Sequence, residues 1–180
     1  MTMRGLHDQA SATTLLMAHI TRRGTPTETV GDLPAVGTKA PGFTLAGHDL
    51  ADVTQDEWSG RRIVLNIFPS VDTATCATSV RKFNALASTL ENTTVLCVSN
   101  DLPMAQTRFC GAEGLSGVAT ASAFRSDFGD VYGVRILDGG MRGLLARAVV
   151  VLDTDGTVLH AELVDDIGHE PNYDAAIAAL

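Results

Sequence analysis

Ile63 to Leu90, IVLNIFPSVDTATCATSVRKFNALASTL, constrains the fold of this chain more than any other stretch. Ile63–Phe68 is apolar apart from Asn66, as expected of a strand covered on both faces, and Pro69 stops it. From Ala74 onward Cys76, Val80, Phe83, Leu86 and Leu90 recur at steps of three and four, the helical period, while Arg81 and Lys82 take the opposite face. A doubly covered strand that runs through a Pro-Ser turn into an amphipathic helix needs other strands beside it and helices on both sides.

The remaining segments supply those partners. Thr94–Ser99 and Ala146–Leu152 read as two more buried strands, and Asp153-Thr154-Asp155-Gly156 as a hairpin turn into Thr157–Val164. Short helices are expected over Met104–Gly111 and Phe124–Tyr132, and a last one over Asn172–Leu180 after Pro171. His19–Gly31 has β-rich arms around Arg23-Gly24-Thr25-Pro26 and predicts a small hairpin. Leu50–Gly60 predicts a single helical turn that packs Trp58 inward. The expected fold is therefore α/β, a mixed central sheet flanked by helices, with an N-terminal β-hairpin. Residues 1–17 read as an extension without clear periodicity, with Met17 an alternative start, and 18–180 as one domain, in keeping with a length of 180 residues.

A net charge of -8 and the lack of any Lys/Arg run argue against nucleic acid and anionic membrane surfaces as partners. No apolar run approaches the ~18 residues of a membrane span. The apolar patch Leu15–Ala18 is too short for a signal-peptide core and no small-x-small cleavage site follows it, so a cytoplasmic location is expected. Three cysteines, with no CxxC pair and no zinc-like Cys/His spacing, indicate neither a structural disulfide framework nor a metal site.

Chemistry centres on Cys76. Most free cysteines are small buried apolar residues, but this one lies in the first turn of a helix, where unpaired N–H groups and the dipole favour an anion. Thr73, three residues earlier, can aim its hydroxyl at the same place. Arg147 interrupts the apolar run Ala146–Leu152, and a buried guanidinium is costly without an anion beside it. A thiolate at the helix N-terminus would serve; alternatively Arg147 sits at the strand end and reaches solvent. Cys110 lies in a separate short helix, and spacing leaves open whether it approaches Cys76 closely enough to bridge. Cys97, inside TVLCVS, reads as an inert core thiol.

Asn66-Ile67-Phe68-Pro69-Ser70-Val71-Asp72-Thr73-Ala74-Thr75-Cys76, with Ser79–Asn84, resembles the active-site segment of the bacterial thiol peroxidases, a branch of the peroxiredoxins. Ser99–Pro103, Arg108–Leu115 and Ala146–Val150 extend the resemblance, which spans roughly residues 18–180. Two departures are residues 1–17 and Thr75, where small or aliphatic residues are commoner. The resemblance implies a thioredoxin-like fold, a homodimer, and no metal or prosthetic group. It also implies roles: Cys76 peroxidatic, Cys110 resolving, and Pro69, Thr73 and Arg147 shaping the peroxide pocket.

The implied reaction is reduction of hydrogen peroxide and organic (alkyl or lipid) hydroperoxides through a Cys76 sulfenic acid. An intrachain Cys76–Cys110 disulfide follows, with thioredoxin as the reductant. Local unwinding around Cys76 or Cys110 is expected on oxidation, and Phe68 or Phe109 near an apolar pocket rim. Two rival classes use the same scaffold: a thiol-disulfide redox sensor or electron carrier, and an interaction module with silent cysteines. Arg147 discriminates, because a carrier has no need of a buried cation.

Overall fold

The computed structural model describes residues 17–180, so the expectation for residues 1–17 falls outside the described residues except for exposed Met17. A two-stranded antiparallel hairpin comes first, β1 (His19–Arg22) with β2 (Thr25–Glu28). The main sheet is built from β3 (Thr44–Ala46), β4 (Asp52–Thr54), β5 (Arg62–Ile67), β6 (Thr93–Ser99), β7 (Ala119–Ser122), β8 (Ala148–Leu152) and β9 (Val158–Leu163). Its spatial order is β4-β3-β7-β6-β5-β8-β9. The β5–β6 and β6–β7 pairs are parallel and the others antiparallel, which makes the sheet mixed as expected.

Central strands β5, β6 and β8 are buried on both faces, which is why their sequences are continuous rather than alternating. One face, with Ile63, Leu65, Ile67, Leu96 and Val150, packs on Phe128 and Tyr132 around α3 (Phe128–Val131). The other, with Val64, Val95, Cys97, Val149 and Val151, packs on Cys76, Val80 and Phe83 of α1 (Ala74–Ala87). Phe109 of α2 (Pro103–Glu113) and Ala176 of α4 (Tyr173–Ala178) cover the same side. α2 starts with Pro103 in the first turn and ends on Gly114, whose φ of 67° suits a left-handed cap.

Three local expectations are corrected. Residues 50–60 hold strand β4 before a 3-10 turn over Gln55–Trp58, because Leu45 and Ala46 offer β4 a free edge; Trp58 does pack inward, against Phe43. The helix expected over Phe124–Tyr132 shrinks to α3, since Ser126 Oγ captures the Phe128 N–H at 3.1 Å, a local bond that competes with a helical start. The ladder of the third buried strand begins at Ala148 and not at Ala146, because β5 ends at Ile67, opposite Ala148, ahead of Pro69. Arg147 is thereby left just past the end of β5.

Phe83 is fully buried in the α1 core and meets Tyr173 edge-on with ring centroids 5.1 Å apart. Phe83→Ala should cost about 3–5 kcal/mol of unfolding free energy in urea denaturation. A loss under ~1 kcal/mol would contradict this packing.

Candidate active site

The turn between β5 and α1 is held from outside itself. Asp101, just past β6, accepts from Ser70 Oγ at 2.7 Å and from the Val71 N–H at 2.8 Å. Its second oxygen also accepts from Ser99 Oγ at 2.7 Å. Pro69 is buried within this turn. One carboxylate therefore sets where the chain leaves the sheet and enters α1. The sequence reading assigned Asp101 no role, and only a contact across 30 residues reveals it.

Thr73 is the N-cap of α1, and Cys76 stands at the third helical position. An N-cap threonine ordinarily accepts from a backbone N–H of this turn, paired with Glu or Gln at the third position. Here the Thr73 hydroxyl makes no such cap bond; it lies 2.7 Å from Cys76 Sγ and 3.2 Å from Ser70 O. Sulfur occupies the place of the capping-box carboxylate. A hydroxyl has a single proton, so when Thr73 donates to Sγ it gives up Ser70 O.

Arg147 is 1% exposed and places Nη2 3.3 Å from Cys76 Sγ. Its Nε and Nη2 both donate to Ile167 O, at 3.1 and 3.0 Å, which fixes the plane of the guanidinium. Nη1 is buried without a partner. Among the described residues no carboxylate oxygen comes within 4 Å of Arg147. Glu170 feels its charge more distantly: that carboxyl is held below its usual range chiefly by Lys82, then by Tyr173, and to a smaller degree by Arg147. The solvent-reaching alternative for Arg147 is ruled out by its burial.

Cys76 itself is fully buried. A cavity of about 200 Å³ ends on Thr73 and Arg147, the two residues that touch its sulfur. Met141, Ile167 and Gly168 also line it, together with Arg22 and Arg23 of the hairpin. Phe68 and Phe109 do not; they pack in the α1-side core, because the residue just past the end of β5 points under the helix. Thr75 donates to Gly168 O at 3.1 Å, tying the first turn of α1 to the cavity wall.

Cys110 does not face this cavity. It lines a cleft of about 480 Å³ with Trp58, His48, Thr107 and Val118. All three cysteines are free thiols. Half-burial pushes the Cys110 thiol up. Complete burial pushes Cys97 up to about 12, against a smaller opposing effect of the Asn66 amide 3.6 Å away. The Arg81–Glu113 pair, bidentate at 2.8 and 2.9 Å, laces α1 to the end of α2 beyond Cys110.

Residues 35–177 match the Redoxin family. The chain is 60% identical over 164 residues to a thiol peroxidase of Mycobacterium tuberculosis, covering 91% of this chain and 99% of that one. A thiol peroxidase of Corynebacterium glutamicum is 53% identical with the same coverage. Among solved structures, a peroxiredoxin-like protein from Aquifex aeolicus superposes with a TM-score of 0.84 at 37% identity, over 90% of this chain and 95% of that chain.

Removing the Asp101 carboxylate leaves the Val71 N–H and two hydroxyls without their acceptor. Asp101→Ala should lose about 1–3 kcal/mol of stability and slow peroxide consumption at least ~10-fold, since the turn that leads into α1 loosens. Rapid-mixing peroxide consumption checks the rate, and an unchanged rate constant would refute the clamp. In the folded, reduced protein at pH 8, N-ethylmaleimide should label Cys110 and leave Cys97 unmodified, as read by peptide mass spectrometry.

Proposed function

Because the chain belongs to the Redoxin family, among the thiol peroxidases, and is a peroxidase, we propose that it reduces hydrogen peroxide and alkyl or lipid hydroperoxides by a two-cysteine cycle. Cys76 attacks, Cys110 resolves, and thioredoxin restores both thiols. The observation that carries this reading is the buried Arg147 guanidinium, with Nη2 on the Cys76 sulfur and Nη1 unpartnered.

The Cys76 thiolate attacks one peroxide oxygen; the S–O bond forms as the O–O bond breaks, and the alcohol or water leaves after taking up a proton. Thr73 and Arg147 hold the sulfur in line. Nη1 has an unused proton to donate to the leaving oxygen where negative charge develops. Pro69, buried in the turn, shields the sulfenic acid from a second oxidation. The Cys110 thiolate then attacks the sulfenic sulfur; the S–S bond forms as the S–O bond breaks, and the hydroxide takes up a proton and leaves as water. A thioredoxin dithiol reduces that disulfide by exchange and is itself oxidised.

Resolution demands movement. The Cys76 sulfur is enclosed by α1, Thr73 and Arg147, while Cys110 opens to a cleft on the Trp58 side of α2. A disulfide needs the two Cα atoms within about 7 Å, so the first turn of α1 or the end of α2 unwinds. The Arg81–Glu113 pair resists that change and is exposed, hence worth little. The reading also takes residues 18–180 as the catalytic unit, acting as a homodimer in the cytoplasm. An electron carrier would use the same two cysteines, but Arg147 favours the peroxidase.

Cys76→Ser should abolish thioredoxin-coupled peroxide reduction, whereas Cys110→Ser should keep one turnover and lose recycling; activity surviving in Cys76→Ser refutes the assignment. Trp58, the single tryptophan, lines the Cys110 cleft. Its fluorescence should therefore change on oxidation of the unaltered protein and stay flat in Cys110→Ser. Because burial raises the Cys110 thiol, its thiolate fraction keeps growing where an exposed thiol of pKa about 8.5 levels off. The resolution rate should accordingly still be climbing above about pH 9.5, where an exposed thiol is nearly fully ionised. A rate already flat there would contradict that sign.

A further inference from the structure

One wall of the cavity that ends on Thr73 and Arg147 has no part in the proposed peroxidase chemistry. Arg22 and Arg23 of the β1–β2 hairpin line it beside Arg147. Three of the thirteen Lys and Arg residues thus meet on one cavity of about 200 Å³ in a chain of net charge -8, and no carboxylate lines it among the described residues. Neither Arg22 nor Arg23 has a carboxylate oxygen within 4 Å among those residues. Arg22 also lines the adjoining cavity of about 120 Å³, which shares Met141 and Ile167 with the first.

The hairpin tip is built to hold these side chains in place. Arg23 has a φ of 52° and Gly24 a φ of 77°, the left-handed pair of a tight hairpin turn. Asn or Gly is the low-strain residue at the first of those positions, so an arginine there is a conformational outlier that points toward function. Asp166 pins the turn: it accepts from the N–H groups of Arg23 at 3.2 Å and Gly24 at 3.0 Å, from Thr21 Oγ1 at 2.6 Å and from the Gly168 N–H at 2.7 Å. Those bonds, Thr21's first, hold its carboxyl well below the usual carboxylate range. The charge of Asp166 is thus directed at backbone N–H groups and not at the guanidiniums. Asp138, on the adjoining cavity, is likewise occupied by Thr27 Oγ1 and the Glu28 N–H. Asp165 is solvated and beside His169.

We propose that Arg22 and Arg23 form an anion-recognising rim that selects hydroperoxides bearing a carboxylate over neutral hydroperoxides of the same shape. The proposal rests on the peroxidase reading of Cys76. The peroxide end sits at Thr73 and Arg147, the carbon skeleton against Met141 and Ile167, and the carboxylate at the two hairpin guanidiniums. Exposed charge contacts of this kind mostly set encounter and preference. The small cavity limits the reach, so the favoured substrates carry the carboxylate a few carbons from the peroxide.

The test uses the full-length reduced protein with 4-hydroperoxy-4-methylpentanoic acid and its methyl ester, each rate constant normalised to that with free cysteine. The acid should react about three- to tenfold faster than the ester at low salt, the size two exposed charge contacts reach, and the ratio should fall toward one in ~0.5 M NaCl. In Arg22→Gln/Arg23→Asn, where asparagine keeps the left-handed turn, the ratio should be about one. Because the ratio is taken within each protein, a general loss of rate cancels. A ratio of one in the unaltered protein, or a preference that survives the double substitution, overturns the proposal. A protein that consumes neither organic hydroperoxide nor hydrogen peroxide overturns the peroxidase reading, and this rim with it.

Discussion

A guanidinium that is 1% exposed has to be answered by negative charge or by acceptors, and among the described residues Arg147 meets only the Ile167 carbonyl and the Cys76 sulfur. Burying a cation without a counter-charge costs several kcal/mol. The contacts with Ile167 O and the Cys76 sulfur answer Nε and Nη2 and leave Nη1 without a partner among the described residues. On the proposed peroxidatic reading of Cys76, the same contact that holds the sulfur leaves Nη1 free for the leaving oxygen.

That contact exists only because two distant pieces of chain are aligned. β5 ends opposite Ala148, so Arg147 projects past the end of the sheet where α1 begins. Asp101 sets the exit of the chain from β5, and Thr73 forgoes its usual cap bond to face the sulfur. The loop after β9 completes the enclosure through Ile167 and Gly168. Each hydrogen bond among these has modest net worth, and together they fix where the Cys76 sulfur sits.

The two sulfurs of the proposed cycle have different surroundings, Cys76 inside the α1 core and Cys110 on the Trp58 cleft. The segments that carry them are the least committed parts of their helices: the first turn of α1, and the last turn of α2, which closes on a glycine cap. Helix ends have few internal hydrogen bonds to lose. In the proposed cycle, cysteines near such ends can meet by local opening while the doubly buried strands stay intact.

The sequence by itself determined the β5–α1 unit, the three buried strands, the hairpin and the suspicion that Cys76 and Arg147 belong together. These follow from local periodicity and from the cost of burying charge, both legible along the chain. Strand β4 and the short α3 were not legible, because a free sheet edge and one serine hydroxyl decided them. Tertiary structure alone decided that Arg147 reaches the sulfur, that Asp101 clamps the turn, that Cys110 faces elsewhere, and that Arg22 and Arg23 share the cavity. The reason is physical: those are contacts between residues tens of positions apart, and a hydrogen bond depends on distance in space, which spacing along a chain does not encode.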